Sequence, residues 1–298
     1  MSNLEISRAQ RLDQKVVELY PQLSRTYAAK LCETNRVSVN GAPQTKPGFK
    51  LRAGDVVAVE YDATQEAAIP DIELEVLYED SDCVVINKPI GLLTHSKGAF
   101  NPEPTVATWL RTHCARLDLA QKSALGLTWR SNSRVGIVHR LDRATSGVMI
   151  CAKTPEALSW LQKQFSQRRT KKTYLAVVAG RMNPEAAIID MPIERNPKAP
   201  ATFRVGNQGK YASTTYRTLR SNEMYSLLEL KPETGRTHQL RVHLAHQGHP
   251  ILGDTLYGGE VAERLYLHAA GLEITIVKNH ERKIFQIPTP QSFLDKIT

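Results

Sequence analysis

The chain has 298 residues, 41% hydrophobic and 23% charged, an ordinary globular composition with room for one large core and a small module. No apolar run reaches the roughly 18–20 residues that cross a membrane, and the first residues lack the basic end and apolar stretch of a secretory leader. A net charge of +9 leans toward polyanionic partners, and the four scattered cysteines, Cys32, Cys83, Cys114 and Cys151, form no Cys-x-x-Cys pair and fit a reducing cytoplasm.

Residues 1–62 read as a small separate module. Leu12, Val16, Leu19 and Tyr20 have helical spacing, Pro21 ends that helix, and Ser24 is the expected cap of a second one with Ala28, Leu31 and Cys32 facing inward. Asn35 suits the left-handed position that closes a helix. Val37 and Val39 alternate as a short strand, Asn40-Gly41 is a tight-turn signal, and Gly54-Asp55 turns into a strand over 56–59. Residues 63–72 are polar or small without apolar periodicity and read as a linker. The remainder, 73–298, forms the second domain. Strands are expected over 74–78, 83–86, 174–178, 213–219, 225–230 and 274–276, and helices over 105–113, 155–165 and 237–247. Strands and helices mix without regular alternation, which predicts an α+β fold with a mixed, largely antiparallel sheet and flanking helices.

The most informative stretch is residues 139–147, His-Arg-Leu-Asp-Arg-Ala-Thr-Ser-Gly. It sets the Asp142 carboxylate between Arg140 and Arg143, as a polar tip between apolar runs over 135–138 and 148–150. Such a tip is either a solvated arginine-rich turn or an active site held on rigid elements. Further along, Lys163, Arg168, Arg169, Lys171 and Lys172 form a basic cluster that reads as a solvated face or a nucleic-acid contact.

The string at 139–147 resembles the signature of the RluA-type pseudouridine synthases, His-Arg-Leu-Asp-x-x-Thr-Ser-Gly. Four further stretches are similar to motifs of the same family and in its order: residues 87–93 (Asn-Lys-Pro-Ile-Gly-Leu-Leu), 172–176 (Lys-Thr-Tyr-Leu-Ala), 234–243 (Thr-Gly-Arg-Thr-His-Gln-Leu-Arg-Val-His) and 267–269 (Leu-His-Ala). The matches span most of residues 80–275. The chain departs from the family at Ala144, where an acidic residue is common. Residues 24–55 resemble the small RNA-binding module shared by a ribosomal small-subunit protein and several RNA-modifying enzymes, with Asn35 where that module commonly has glycine.

The resemblance implies a pseudouridine-synthase-like fold and the isomerisation of uridine to pseudouridine in RNA. It implies Asp142 as the catalytic residue, Tyr174 stacking on the target base, and Arg140 filling the place the base vacates. It also implies Arg236 pairing with the catalytic aspartate and Leu267 walling the pocket. Arg25, Lys30, Arg36 and Lys46 of the module, and Arg168, Arg169, Lys171 and Lys172 of the basic cluster, would meet phosphates. Isomerisation adds no group, so no cofactor is expected. Large-subunit ribosomal RNA is the expected partner, with transfer RNA open; no membrane or metal partner is expected, and the protein is read as a monomer.

Other chemistries fit poorly. His238, His243, His246 and His249 are spaced five, three and three apart, not as the i, i+4 pair of a helical zinc site. Residues 206–210 lack the length of a phosphate loop, and no Gly-x-Ser-x-Gly occurs. A glycosidase-like hydrolase would want a second paired acid, which the motif stretches do not offer. A binding protein that had lost catalysis would be expected to have lost Asp142, Tyr174 or Arg236.

Overall fold

The computed structural model describes residues 4–5, 10–20, 23, 25–61, 70–95, 103–117 and 136–298. Pro21, Ser24, Val135 and residues 63–69 of the expected linker lie outside them. The chain divides into two compact units, Met1–Glu73 with His95–Val135, and Leu74–Thr94 with Gly136–Thr298. Of the described residues that the sequence assigns to the second domain, 95 and 103–117 fall in the first unit.

The first unit contains β1 (Leu4–Glu5), β2 (Gln10–Arg11), α1 (Leu12–Leu19), α2 (Arg25–Glu33), β3 (Val37–Val39), β4 (Ala42–Pro43), β5 (Lys50–Leu51) and β6 (Val56–Val59). The strands form a small sheet in the order β1-β6-β3-β4 and a separate β2-β5 ladder. Leu12, Val16, Ala28, Leu31, Val37 and Val57 share one buried core, so the helix and strand periodicities of the sequence meet on one interior. Asn35 has φ 59° and Asn40-Gly41 have φ 51° and 80°, the left-handed conformations their residue types favour. Asp13 is buried at the start of α1. Burial opposes its charge, but hydrogen bonds from Arg11 and Arg25 hold its carboxyl below the ordinary range.

The second unit begins with β7 (Glu75–Glu79) and β8 (Cys83–Lys88); α3 (Val106–Leu117) falls in the intervening segment that groups with the first unit. There follow β9 (Ser146–Ala152), α4 (Pro155–Ser166), β10 (Lys171–Ala179), β11 (Ala186–Asp190), β12 (Ile193–Arg195), β13 (Phe203–Val205), β14 (Ser213–Ser221) and β15 (Tyr225–Pro232). After these come α5 (Gln239–His246), β16 (Leu267–Thr275), β17 (Arg282–Gln286) and α6 (Gln291–Asp295). Nine strands make one sheet in the order β11-β14-β15-β10-β16-β9-β8-β7, with β17 on the far half of β16, while β12 and β13 form a separate hairpin. Every pairing in the large sheet is antiparallel except β9 with β16, which is parallel.

β9 is buried along its whole length, which explains its unbroken apolar run. On one side Ala157 and Leu161 of α4 pack on Val85, Val148, Ile150 and Ile274. Leu240 and Leu244 of α5 join the other large cluster with β10 and β15. Thr154 caps α4, accepting a hydrogen bond from the Ala157 amide, and Pro155 opens the helix.

Two expectations need correction, and two further elements carry no signal in the sequence. The run before the aspartate motif is no strand over 136–138; Ile137 makes a single bridge to Cys151. Helix α5 starts at Gln239 rather than residue 237, because His238 is left-handed at φ 56° and cannot continue a helix. The edge strand β11 and the β12–β13 hairpin carry no clear alternation in sequence and were not expected.

Candidate active site

The aspartate motif occupies the loop that enters β9 beside the parallel pair. Its position is set mainly through backbone. The Gly91 amide donates to the Arg143 carbonyl (2.8 Å) and the Arg143 Nε donates back to the Gly91 carbonyl (2.9 Å). Thr94 Oγ1 donates to the Leu141 carbonyl (2.9 Å) and accepts from the Leu141 amide (3.3 Å). Lys88 is fully buried, and its ammonium donates to the Pro89 and Leu92 carbonyls, each at 2.9 Å. Burial lowers its pKa to about 8, against the pull of Asp142. The turn at 87–93, weak as a sequence signal, is therefore the brace of the loop.

At the far end of the loop Ser146 Oγ accepts from Arg264 (2.6 Å) and shares a hydrogen bond with His268 Nδ1 at 2.9 Å. Burial, with the Arg264 charge adding, lowers the His268 pKa to about 4 and keeps the ring neutral. Gly147 has φ 121°, and a Cβ there would lie 2.2 Å from the Ala269 carbonyl oxygen. Only glycine lets the two parallel strands approach this closely.

A cavity of about 590 Å³ opens over this loop. Asp142, Arg140, Tyr174, Arg236 and Leu267 all line it, as do Arg168 and Lys172. Tyr174 sits where β10 shifts register against β16, between Thr173 and Tyr174. Burial and the nearby Asp142 carboxylate push its phenol above the ordinary range. Lys172 donates to the Thr234 carbonyl (3.0 Å); burial, with Arg168 adding, lowers its pKa to about 8. Arg168 pairs with Glu233 at 2.6 Å and lies over the Tyr211 ring. Lys171, one residue along the strand, turns away to Glu273 (3.1 Å), and neither it nor Arg169 lines the cavity. Arg25, Lys30, Arg36 and Lys46 are exposed residues of the first unit.

The expected Arg236–Asp142 pair does not form. Arg236 Nε donates instead to the Tyr211 carbonyl (2.9 Å). The cation beside Asp142 is Arg241, one turn into α5, with Nη1 3.6 Å from Oδ2. Arg241 is itself gripped by buried Asp254 through two 2.7 Å hydrogen bonds and lies over the Tyr257 ring. Asp254 is placed by a tight segment in which a Cβ on Gly253 or Gly259 would strike the carbonyl of Arg264 or Ile251. His238 completes this wall, with Nε2 3.9 Å from Asp142 Oδ2.

Gln239 ties the wall to the sheet. It accepts from the Arg236 amide and from Thr234 Oγ1, and donates to the Ser213 carbonyl and Thr214 Oγ1. Thr214 passes its hydrogen to His243, which donates to the Met191 carbonyl. His243 is thus a satisfied interior residue. Among the described residues no group of three or more His, Cys, Asp or Glu side chains forms a metal site, and no helix is long and apolar enough to cross a membrane.

Comparison with known proteins points one way. The sequence model of RNA pseudouridylate synthases matches residues 82–246, and that of the S4 domain matches residues 10–57. The chain is 38% identical over 257 residues to the ribosomal large subunit pseudouridine synthase D of Yersinia pestis, covering 86% of this chain and 75% of the relative. It is equally similar, 38% over 253 residues, to an uncharacterized RNA pseudouridine synthase of Aquifex aeolicus, covering 84% and 77%. Among solved structures it resembles human RNA Pseudouridylate Synthase Domain Containing 4, with a TM-score of 0.58, 26% identity, and coverage of 74% of this chain and 90% of that one.

Proposed function

The chain belongs to the RNA pseudouridylate synthase family, and from that premise we propose that it isomerises selected uridines of large-subunit ribosomal RNA, with Asp142 as the reacting carboxylate and the target base flipped from its stack. The observation that carries this reading is the single cavity into which Asp142, Arg140, Tyr174 and Leu267 all open. Its volume suits one nucleoside. The ribosomal substrate rests on the relatives named for large-subunit RNA.

In this reading Tyr174 stacks on the flipped uracil, an interaction worth about 1–3 kcal/mol per base. Arg140 fills the gap left behind, which offsets part of the few kcal/mol that unstacking costs. The reaction breaks the bond from ribose C1′ to N1 and makes one from C1′ to C5; N1 gains a proton and C5 loses one. Asp142 serves as nucleophile or base in that exchange. Arg241 keeps its carboxylate in place. Arg168, Lys172, Arg236 and the basic residues of the S4 domain meet the RNA backbone. The protein works as a monomer in the cytoplasm.

The test is tritium release from RNA labelled at uracil C5. Purified protein should release tritium from large-subunit ribosomal RNA, and the Asp142→Ala variant should bind that RNA but release none. Release only from transfer RNA would move the substrate, and undiminished release by the variant would move the chemistry to another residue.

A further inference from the structure

On the reading that Asp142 is the reacting carboxylate, we propose that His238 is a positioning residue for it. Tyr257 locks the imidazole in the tautomer that presents Nε2–H to Asp142 Oδ2.

Phe203 N–H donates to the Tyr257 hydroxyl oxygen at 3.0 Å. That oxygen also lies 2.7 Å from His238 Nδ1. A hydroxyl has one hydrogen and two lone pairs, and among the described contacts Nδ1 is the one acceptor within reach of that hydrogen, so the hydrogen goes to Nδ1. The proton of the neutral ring then sits on Nε2, the nitrogen 3.9 Å from Asp142 Oδ2. Phe203 and Tyr257 both meet the ring edge-on, at 75° and 84°, and set its plane.

The other donor near Asp142 is already engaged. Arg241 gives both Nε and Nη2 to Asp254 at 2.7 Å, and only Nη1 faces Asp142, at 3.6 Å. Asp254 therefore balances much of the guanidinium charge. A second donor of fixed direction and no charge orients the carboxylate without competing for it, whereas an imidazolium would pair with it and blunt its reactivity. The surroundings keep the ring neutral. Burial is the largest influence and lowers its pKa; Asp142 and Asp254 pull upward, while Arg241 and Arg140 push down.

Two measurements on the full-length protein test this. The first is kcat and KM for tritium release from about pH 5 to pH 9, comparing wild type with His238→Ala, His238→Gln and Tyr257→Phe. His238→Ala should lose about 100-fold in kcat, the scale of a misplaced reacting group, with KM nearly unchanged. His238→Gln puts an amide nitrogen near the Nε2 position and should recover much of that loss. Tyr257→Phe leaves Nδ1 without its donor, so the ring protonates more readily and the acid limb of kcat moves to higher pH. Wild-type kcat in His238→Ala would overturn the proposal, as would equal losses in Ala and Gln accompanied by a matching rise in KM. The second measurement is nitrogen-15 NMR of the histidine rings, which needs no turnover. An Nε2–H signature for His238 that shifts to a mixture in Tyr257→Phe supports the proposal, and an Nδ1–H ring in wild type overturns it. If wild-type protein acts on no RNA, the functional reading above fails, while the tautomer still decides this one.

Discussion

The two walls of the cavity are fastened in different ways. The aspartate loop is gripped at its own main chain: Gly91 on the Arg143 carbonyl, Thr94 on both polar groups of Leu141, and a glycine at the strand crossing, beside a turn that Lys88 ties together. The facing wall is held by side chains, with Gln239 stitching it to β14 and Asp254 gripping Arg241. A loop fixed through backbone tolerates little change of spacing. A wall fixed through side chains can be re-tuned one residue at a time. On the proposed function, the first arrangement suits the carboxylate assigned to react, and the second suits the groups assigned to orient it and to meet the RNA.

This contrast makes graded predictions. The largest effect belongs to the group the loop exists to hold: Asp142→Asn should cut kcat by about 10⁴-fold or more with little change in RNA affinity, read by single-turnover release and filter binding. Next comes the loop's crossing with β16. Gly147→Ala should destabilise the fold by about 3 kcal/mol or more, because its Cβ meets a carbonyl that cannot move aside; a denaturation midpoint equal to wild type would show that the strands separate easily. On the facing wall, Arg241→Lys should cost about 100-fold in kcat, since a lysine cannot hold Asp254 bidentately and still reach Asp142. Arg236→Lys, whose Nε serves a carbonyl 25 positions away, should cost less than about tenfold. The reverse order would restore the pairing expected from sequence.

The smallest effect tests the far end of the loop. His268 titrates at about 4 when folded and near its ordinary 6.5 when unfolded. The unfolded chain binds more protons between these values, so this contribution is fully present above about pH 6.5 and is lost as pH falls toward 4. By pH 5 about 2 kcal/mol of it has been lost. Denaturant melts at pH 7 and pH 5 should show a shallower loss in His268→Asn than in wild type; identical slopes would assign the acid sensitivity to other groups.

Much of this molecule is legible in its sequence. Periodicity places α1, α2 and α4, and turn chemistry places Asn35 and Asn40-Gly41. The family motifs name Asp142, Tyr174, Arg140 and Leu267, and all four reach one cavity. The residues that fasten them are harder to see. Lys88 follows a strand and precedes a proline, which reads as turn punctuation; only its burial reveals three carbonyls around one ammonium. Arg241 and Asp254 lie 13 residues apart with a turn between them, and no spacing rule says that they meet. Choosing between Arg236 and Arg241 needed the left-handed turn at His238, which starts α5 two residues later than the periodicity indicates. Local pattern reports which residues form an element. It is silent on which long side chains cross between elements.

The lone parallel pairing has a consequence for how the site comes into being. β16 lies between β10, which bears Tyr174, and β9, which the Asp142 loop enters. Residues 82–246, the stretch matched by the family, already contain Asp142, Tyr174, Arg236 and Arg241, yet the strand that makes β9 and β10 members of one sheet begins only at Leu267. The matched stretch therefore holds these side chains without the strand that brings them to one pocket. The contacts that assemble the site, from Ser146 to His268 and from Tyr174 to Ala269, are long-range in sequence and raise the contact order of the fold. On the proposed function, a chain without β16 would carry Asp142 and Tyr174 on strands that no longer share a sheet, and it would release no tritium.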